Sequence, residues 1–250
     1  MLRSFESVQD RFVFVSELPW SGEPGDWQKT VEIAESSGAT AVKVDWHGEQ
    51  VHRPNALAWA KERGFTHALI PDSDEVIEPE LLETLVLLAN NDLADRVYVE
   101  WDTYWKNAEY VIRPREPFRP LMLVNLNCVH HVYVRNYEGG RPLTLTGEHG
   151  IVHHLSYAGP DERILRKITT WSHKDELVPN WWNNVWSGWD HDKLMRDIHP
   201  THPAAYGFAE RITTPPFLAH CLTNADSSAS SPSVQSSQSR CALAISSSRH

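Results

Sequence analysis

Long apolar runs are missing from this 250-residue chain. No stretch approaches the ~20 consecutive apolar residues that a membrane-spanning helix needs, so no integral membrane segment is expected. Met1 to Asp10 carries one arginine, Arg3, with no apolar run behind it, which is not the pattern of a signal peptide. Cysteine is scarce. Cys128, Cys221 and Cys241 are widely spaced and form no Cys-x-x-Cys, so a disulfide framework is excluded and a reducing, cytoplasmic setting is expected. A basic excess is also lacking: 33 acidic against 23 basic residues leave a net charge of -10, the reverse of a phosphate-backbone binder, and no nucleic-acid partner is expected. No Gly- and Lys/Arg-rich phosphate loop stands near the N-terminus, which argues against a nucleotidyltransferase. There is no internal repeat.

What is present fits a folded chain. Hydrophobic residues make up 41% and charged residues 22%, enough for one substantial core. Tryptophan (11) and histidine (14) are in excess. Arg11 to Ser16 reads as a buried strand, and a Pro- and Gly-rich loop follows from Leu18 to Gly25. Asp26 then caps a helix whose Trp27, Val31 and Ala34 share a face and which Gly38 stops. Ala41 to Trp46 is a second strand. Pro54 opens a helix over Asn55 to Arg63, and Thr66 to Pro71 is a third strand. This β-α-β-α-β order implies a parallel sheet with right-handed crossovers. Pro79 begins a helix with Leu81, Leu82, Leu85 and Leu88 on one face. Short β-rich pieces follow (Arg96 to Trp105, Glu109 to Arg113, Leu121 to Val124, Val129 to Val134), and antiparallel pairing is expected of them. Pro160 opens a helix carrying Ile164, Ile168 and Trp171. From Asn224 the composition turns to serine, which predicts a disordered tail.

The sharpest local feature is Asp72-Ser73-Asp74-Glu75, three carboxylates in four residues at the carboxyl end of the third strand. Ligands of open α/β sheets bind at that end. Crowded carboxylates repel unless a cation sits among them, and Mg²⁺ or Mn²⁺ takes oxygen ligands of this kind. A solvated acidic turn is the bland alternative.

In order along the chain, Val51-His52-Arg53-Pro54-Asn55-Ala56-Leu57, the strand Thr66 to Pro71 and the Asp-x-Asp-Glu turn resemble family 2 glycosyltransferases of GT-A fold. Gly150-Ile151-Val152-His153-His154-Leu155-Ser156-Tyr157, then Asp161-Glu162 with a helix, and Ile198-His199-Pro200 after a Trp-rich stretch extend the likeness over residues 4 to 215. The resemblance implies a GT-A-like, Rossmann-like mixed sheet with antiparallel additions in the C-terminal half. It implies one domain over residues 1–216, with the first β-α unit largely missing, and a Ser-rich tail over 217–250. It implies an enzyme: a metal-dependent transferase that moves a sugar from a nucleotide-sugar donor to an unknown carbohydrate or other hydroxyl acceptor with Mn²⁺ or Mg²⁺. A catalytically degenerate domain that binds nucleotide or carbohydrate without turnover is the alternative.

On this resemblance Asp74 is the foremost metal ligand, and Asp72 lies near the ribose or binds the metal through water. Glu75 contacts the donor sugar or orients the turn. One of His153 and His154 completes the metal site; neighbours on a strand face opposite ways, and His154 is favoured. Arg53 and Glu17 face the nucleobase, although Leu18-Pro19-Trp20 departs from the usual Asp-x-Ser-x-Asp loop. The base that deprotonates the acceptor is Glu148 or Asp161, with a lean to Glu148. Trp182, Trp186 and Trp189 fall at i, i+4, i+7, where core packing outweighs sugar stacking. Cys128 reads as a small buried hydrophobe.

Overall fold

The computed structural model describes residues 1–17, 26–46, 48–133, 136–171, 173–223 and 241–246. The loop Leu18 to Gly25 and most of the Ser-rich tail lie outside the described residues. Alternation sets the first layer of the fold. In β1 (Asp10–Ser16), Val13 and Val15 pack with Phe5, Ala34 and Leu81, while Phe12 and Phe14 pack on the opposite face with Ala56 and Trp59. A strand apolar on both faces belongs inside a sheet covered on both sides. Helix α1 (Trp27–Ser36) starts where the Asp26 carboxylate accepts the Lys29 amide at 2.8 Å, and Gly38 ends it at φ 71°. After β2 (Thr40–Val44), α2 (Glu49–Glu62) begins earlier than expected. The Gly48 carbonyl accepts from Val51 and His52, so Pro54 lies inside the helix and forgoes a single backbone bond.

β3 (His67–Leu69) is wholly buried and leads through the acidic turn to β4 (Glu75–Ile77) and α3 (Pro79–Asn90). Leu81, Leu82 and Leu85 of α3 are buried on one face of the sheet, and Leu57 and Ala60 of α2 on the other. The short strands follow: β5 (Arg96–Tyr98), β6 (Trp101–Lys106), β7 (Tyr110–Arg113), β8 (Leu121–Asn125), β9 (His130–Tyr133), β10 (Asn136–Glu138), β11 (Pro142–Thr144) and β12 (Val152–Ala158). Helix α4 (Asp161–Thr170), β13 (Phe208–Arg211), α5 (Pro216–Thr223) and β14 (Cys241–Ser246) complete the described elements. The chain is thus a mixed α/β protein. Its larger sheet runs β11-β5-β8-β3-β14-β1-β2, and a five-stranded sheet runs β13-β7-β6-β12-β4.

Two departures from expectation stand out. β12 runs parallel to β6, although it is antiparallel to β4, and β11 runs parallel to β5. The intervening strands supply the long return that a parallel partner requires. The second departure is in the tail. β14 lies between β1 and β3, parallel to both, with Asp10 opposite Ala242 and Leu69 opposite Leu243. Backbone groups of β1 and β3 that face this slot need partners once buried. Cys241–Ser246 is the least polar stretch of a serine-rich tail, and composition averaged over that tail hides it.

Candidate functional site

The acidic turn is closed by its own backbone. The Glu75 amide donates to the Asp72 carbonyl at 3.1 Å, and the Asp72 amide donates to Glu75 Oε2 at 2.8 Å. Glu75 is only 1% exposed, so the structure places it as a brace of the turn. Arg53 projects from α2, its side chain 8% exposed, and donates to Asp72 Oδ1 at 2.5 Å.

Strand pairing carries a second segment to this corner. His154 stands opposite Glu75 in the β12–β4 ladder, and the Leu155 amide donates to the Asp74 carbonyl at 2.8 Å. His154 Nε2 consequently lies 3.9 Å from Asp74 Oδ1. The other carboxylate oxygen of Asp74 faces α4, with Lys167 Nζ at 3.5 Å and Arg163 at 3.8 Å. These two cations are four residues apart and share a helix face. Burial lowers the Lys167 ammonium pKa, and Asp74 opposes that shift.

β12 separates its two histidines by face. His153 is fully buried, with Nδ1 hydrogen-bonded to the Tyr104 hydroxyl at 2.9 Å and Nε2 at 3.2 Å from Glu78. Burial lowers its pKa, and Glu78 acts against the shift. His154 stacks on Trp101, ring centres 4.1 Å apart, and its Nδ1 is 3.2 Å from the Thr103 hydroxyl. Thr103 in turn donates to Glu116. Desolvation pushes the Glu116 carboxyl from 4.5 up to about 7, against the pull of the Thr103 bond.

Glu116 carries no sequence signature. It sits between Arg115 and Pro117, far from any acidic motif. Its position comes from arginines at and after the end of β7 that reach back to acids at the start of β6. Arg113 and Arg115 both hold Asp102 at 2.9 Å, Arg115 reaches Glu100 at 2.7 Å, and Arg119 reaches Glu100 at 3.1 Å.

The structure brings together Arg53, Asp72, Asp74, Glu75 and His154. No described hydrogen bond or ion pair joins Glu17, Glu148 or Asp161 to that group. Glu17 is exposed and paired with Lys43 at 2.7 Å. Glu148 is exposed on the 3-10 turn Gly147–His149. Asp161 opens α4, accepts the Trp186 indole N–H at 2.8 Å and lies 3.9 Å from Lys106.

The tryptophan stripe and Cys128 need correction. Residues Trp182–Trp186 form a π-helix, and the inward pair is Trp181 and Trp186, five apart, rather than the i, i+4, i+7 set. Trp105 meets Trp186 edge-on at 5.0 Å and Lys106 covers it at 3.8 Å, so these faces are spent on the core. Cys128 is exposed, because it lies in the turn after β8; desolvation and the Asp95 carboxylate raise its thiol pKa.

Two ligand atoms of one octahedral cation, with bonds of about 2.1 Å, stand about 3 Å apart when adjacent and about 4.2 Å apart when opposite. The 3.9 Å between Asp74 and His154 lies between these, within reach of one cation after a small side-chain shift, and such ions commonly take few protein ligands and fill the rest with phosphate oxygens and water. Asp72 does not join them within 4.8 Å; among the described residues only Asp190, His191 and Asp192 form a group of three that tight. That group is solvent-facing and consecutive, and its Asp190 carboxylate already accepts from Asp192 N at 3.0 Å and Lys193 at 3.3 Å. Comparison with protein-family models, curated proteins and solved structures returned no match.

Proposed function

We propose that the chain is a metal-dependent glycosyltransferase of GT-A-like fold, taking a sugar from a nucleoside-diphosphate donor to an acceptor hydroxyl. One observation carries the reading. Asp74 and His154, from distant segments, meet beside the carboxyl end of a parallel strand with Lys167 and Arg163 at their side. That strand end is the ligand-binding edge of an open α/β sheet. Asp74 and His154 are the residues to hold Mn²⁺ or Mg²⁺; the bound cation supplies Lewis-acid stabilisation of the diphosphate leaving group. Lys167 and Arg163 add positive charge where diphosphate charge develops. Arg53 fixes Asp72 for the ribose or for a metal-bound water. Glu148 is preferred over Asp161 as the acceptor's base, because Asp161 is engaged by Trp186.

One observation favours a second reading. Asp74 already faces two cations, so the corner is charge-balanced without a metal. This suits a degenerate domain that binds nucleotide without turnover. A thermal-shift screen of nucleoside diphosphates with and without Mn²⁺ tests both, because stabilisation follows RT ln(1 + [L]/Kd). Stabilisation that needs nucleotide and Mn²⁺ together supports the transferase, and hydrolysis of a nucleotide-sugar then separates it from the binder. Stabilisation by nucleotide alone, without hydrolysis, supports the binder.

A further inference from the structure

We propose that Thr103 and Glu116 form a hydrogen-bond relay that holds His154 as the Nδ1–H tautomer, aiming its Nε2 lone pair at Asp74 as a ligand for a divalent cation. The inference rests on the metal reading of the corner and adds two positioning residues to it. A hydroxyl has one proton. At pH 8, above the raised Glu116 pKa of about 7, the carboxyl is ionised and only accepts, so Thr103 donates that proton to Glu116 Oε1. The Thr103 oxygen, 3.2 Å from His154 Nδ1, is therefore left to accept, and Nδ1 must carry the hydrogen. In a neutral imidazole the other nitrogen then holds the lone pair. That nitrogen is Nε2, on the Asp74 side of the ring.

The surroundings make this arrangement rigid. Trp101 stacks on His154 at an interplanar angle of 9°, which fixes the ring plane. Thr103 is directly opposite His154 in the β6–β12 register, so backbone pairing sets their separation. Arg113 and Arg115 tie the segment that bears Glu116 to Asp102, the neighbour of Thr103 on β6. Partners of this kind behind a ligating histidine fix its tautomer and raise its basicity.

The test uses the full chain with ¹⁵N-labelled histidine at pH 8. Two-bond ¹H–¹⁵N spectra read each ring's tautomer, and loss of one signal set in His154→Gln assigns the residue. Mn²⁺ uptake, with inorganic pyrophosphate as the diphosphate probe, is followed by the electron paramagnetic resonance of free Mn²⁺. The relay predicts an Nδ1–H ring in the wild type and in Thr103→Ser, with Mn²⁺ affinities within about 3-fold of each other because the hydroxyl is kept. It predicts loss of that tautomer and about 10–100-fold weaker Mn²⁺ uptake in Thr103→Val. An Nε2–H ring in the wild type, or unchanged uptake in a folded Thr103→Val, would overturn it. An Nδ1–H ring in a wild type that takes up no Mn²⁺ would instead uphold the relay and refute the metal reading.

Discussion

Lys167 is the residue on which the charge balance of the acidic corner turns. It is buried, its ammonium is disfavoured by desolvation, and Asp74 is the chief group that holds it charged. Lys167→Met therefore removes one of the two helix cations beside Asp74 while keeping side-chain length. The expected outcome is at least about 10-fold weaker binding of a nucleoside diphosphate by calorimetry, the loss of a charge-assisted contact of about 1.5–3 kcal/mol. Glu116 gives a second expectation. Its folded pKa is raised from 4.5 to about 7, so the folded state binds more protons than the unfolded one between those values. Stability from this group is thus greatest below pH 4.5 and declines as pH rises towards 7. The size is about 3 kcal/mol. Glu116→Gln should flatten that part of the profile in urea titrations from pH 4.5 to 7.5; an unchanged slope contradicts the buried carboxyl. Neither Thr103 nor Glu116 was legible in the sequence, since each gains its role only from strand register and arginine–carboxylate pairs.

At the scale of elements, the aromatic helix and its loop carry the clearest expectations. Trp186 is fully buried between Trp105, Trp181 and Trp182. Trp186→Ala should cost about 3–5 kcal/mol in chemical denaturation, with half-buried Trp182→Ala costing less. Near it, His199 Nδ1 accepts the His202 amide at 2.9 Å and the Thr201 amide at 3.2 Å. Burial lowers the His199 pKa from 6.5 to about 4, so it stays neutral in the fold. The unfolded chain binds the extra proton, and this contribution is lost as pH falls from 6.5 towards 4. His199→Asn should reduce that acid-side loss. The early elements were readable because their causes are local: the Asp26 cap, the two-faced apolar strands and the leucine face of α3. Pro54 has the look of a first-turn residue, which hides that α2 begins at Glu49 and carries it in its interior. A 3.6-residue period assigns Trp182, Trp186 and Trp189 to one face, whereas the wider π turn brings Trp181 and Trp186 inward.

For the whole molecule, the larger sheet depends on a strand from the far end of the chain. β14 pairs with β1 on one side and β3 on the other, and β3 leads directly into the acidic turn. Deleting residues 241–250 should remove cooperative thermal unfolding by circular dichroism and, with it, any ligand binding at the corner; an intact melt would show that β1 and β3 do not need this partner. The pairing was invisible in composition because long-range partners are set by topology. The Asp74–His154 approach is of the same kind: the motif named the residues, and the β12–β4 register set their distance. The most direct test of the account is isothermal titration of a nucleoside diphosphate series with Mn²⁺ into wild type and Asp74→Asn. The account predicts Mn²⁺-dependent binding of at least one nucleotide by the wild type and its loss in a variant that still unfolds cooperatively. Equal affinity in the two proteins, with or without Mn²⁺, would contradict it.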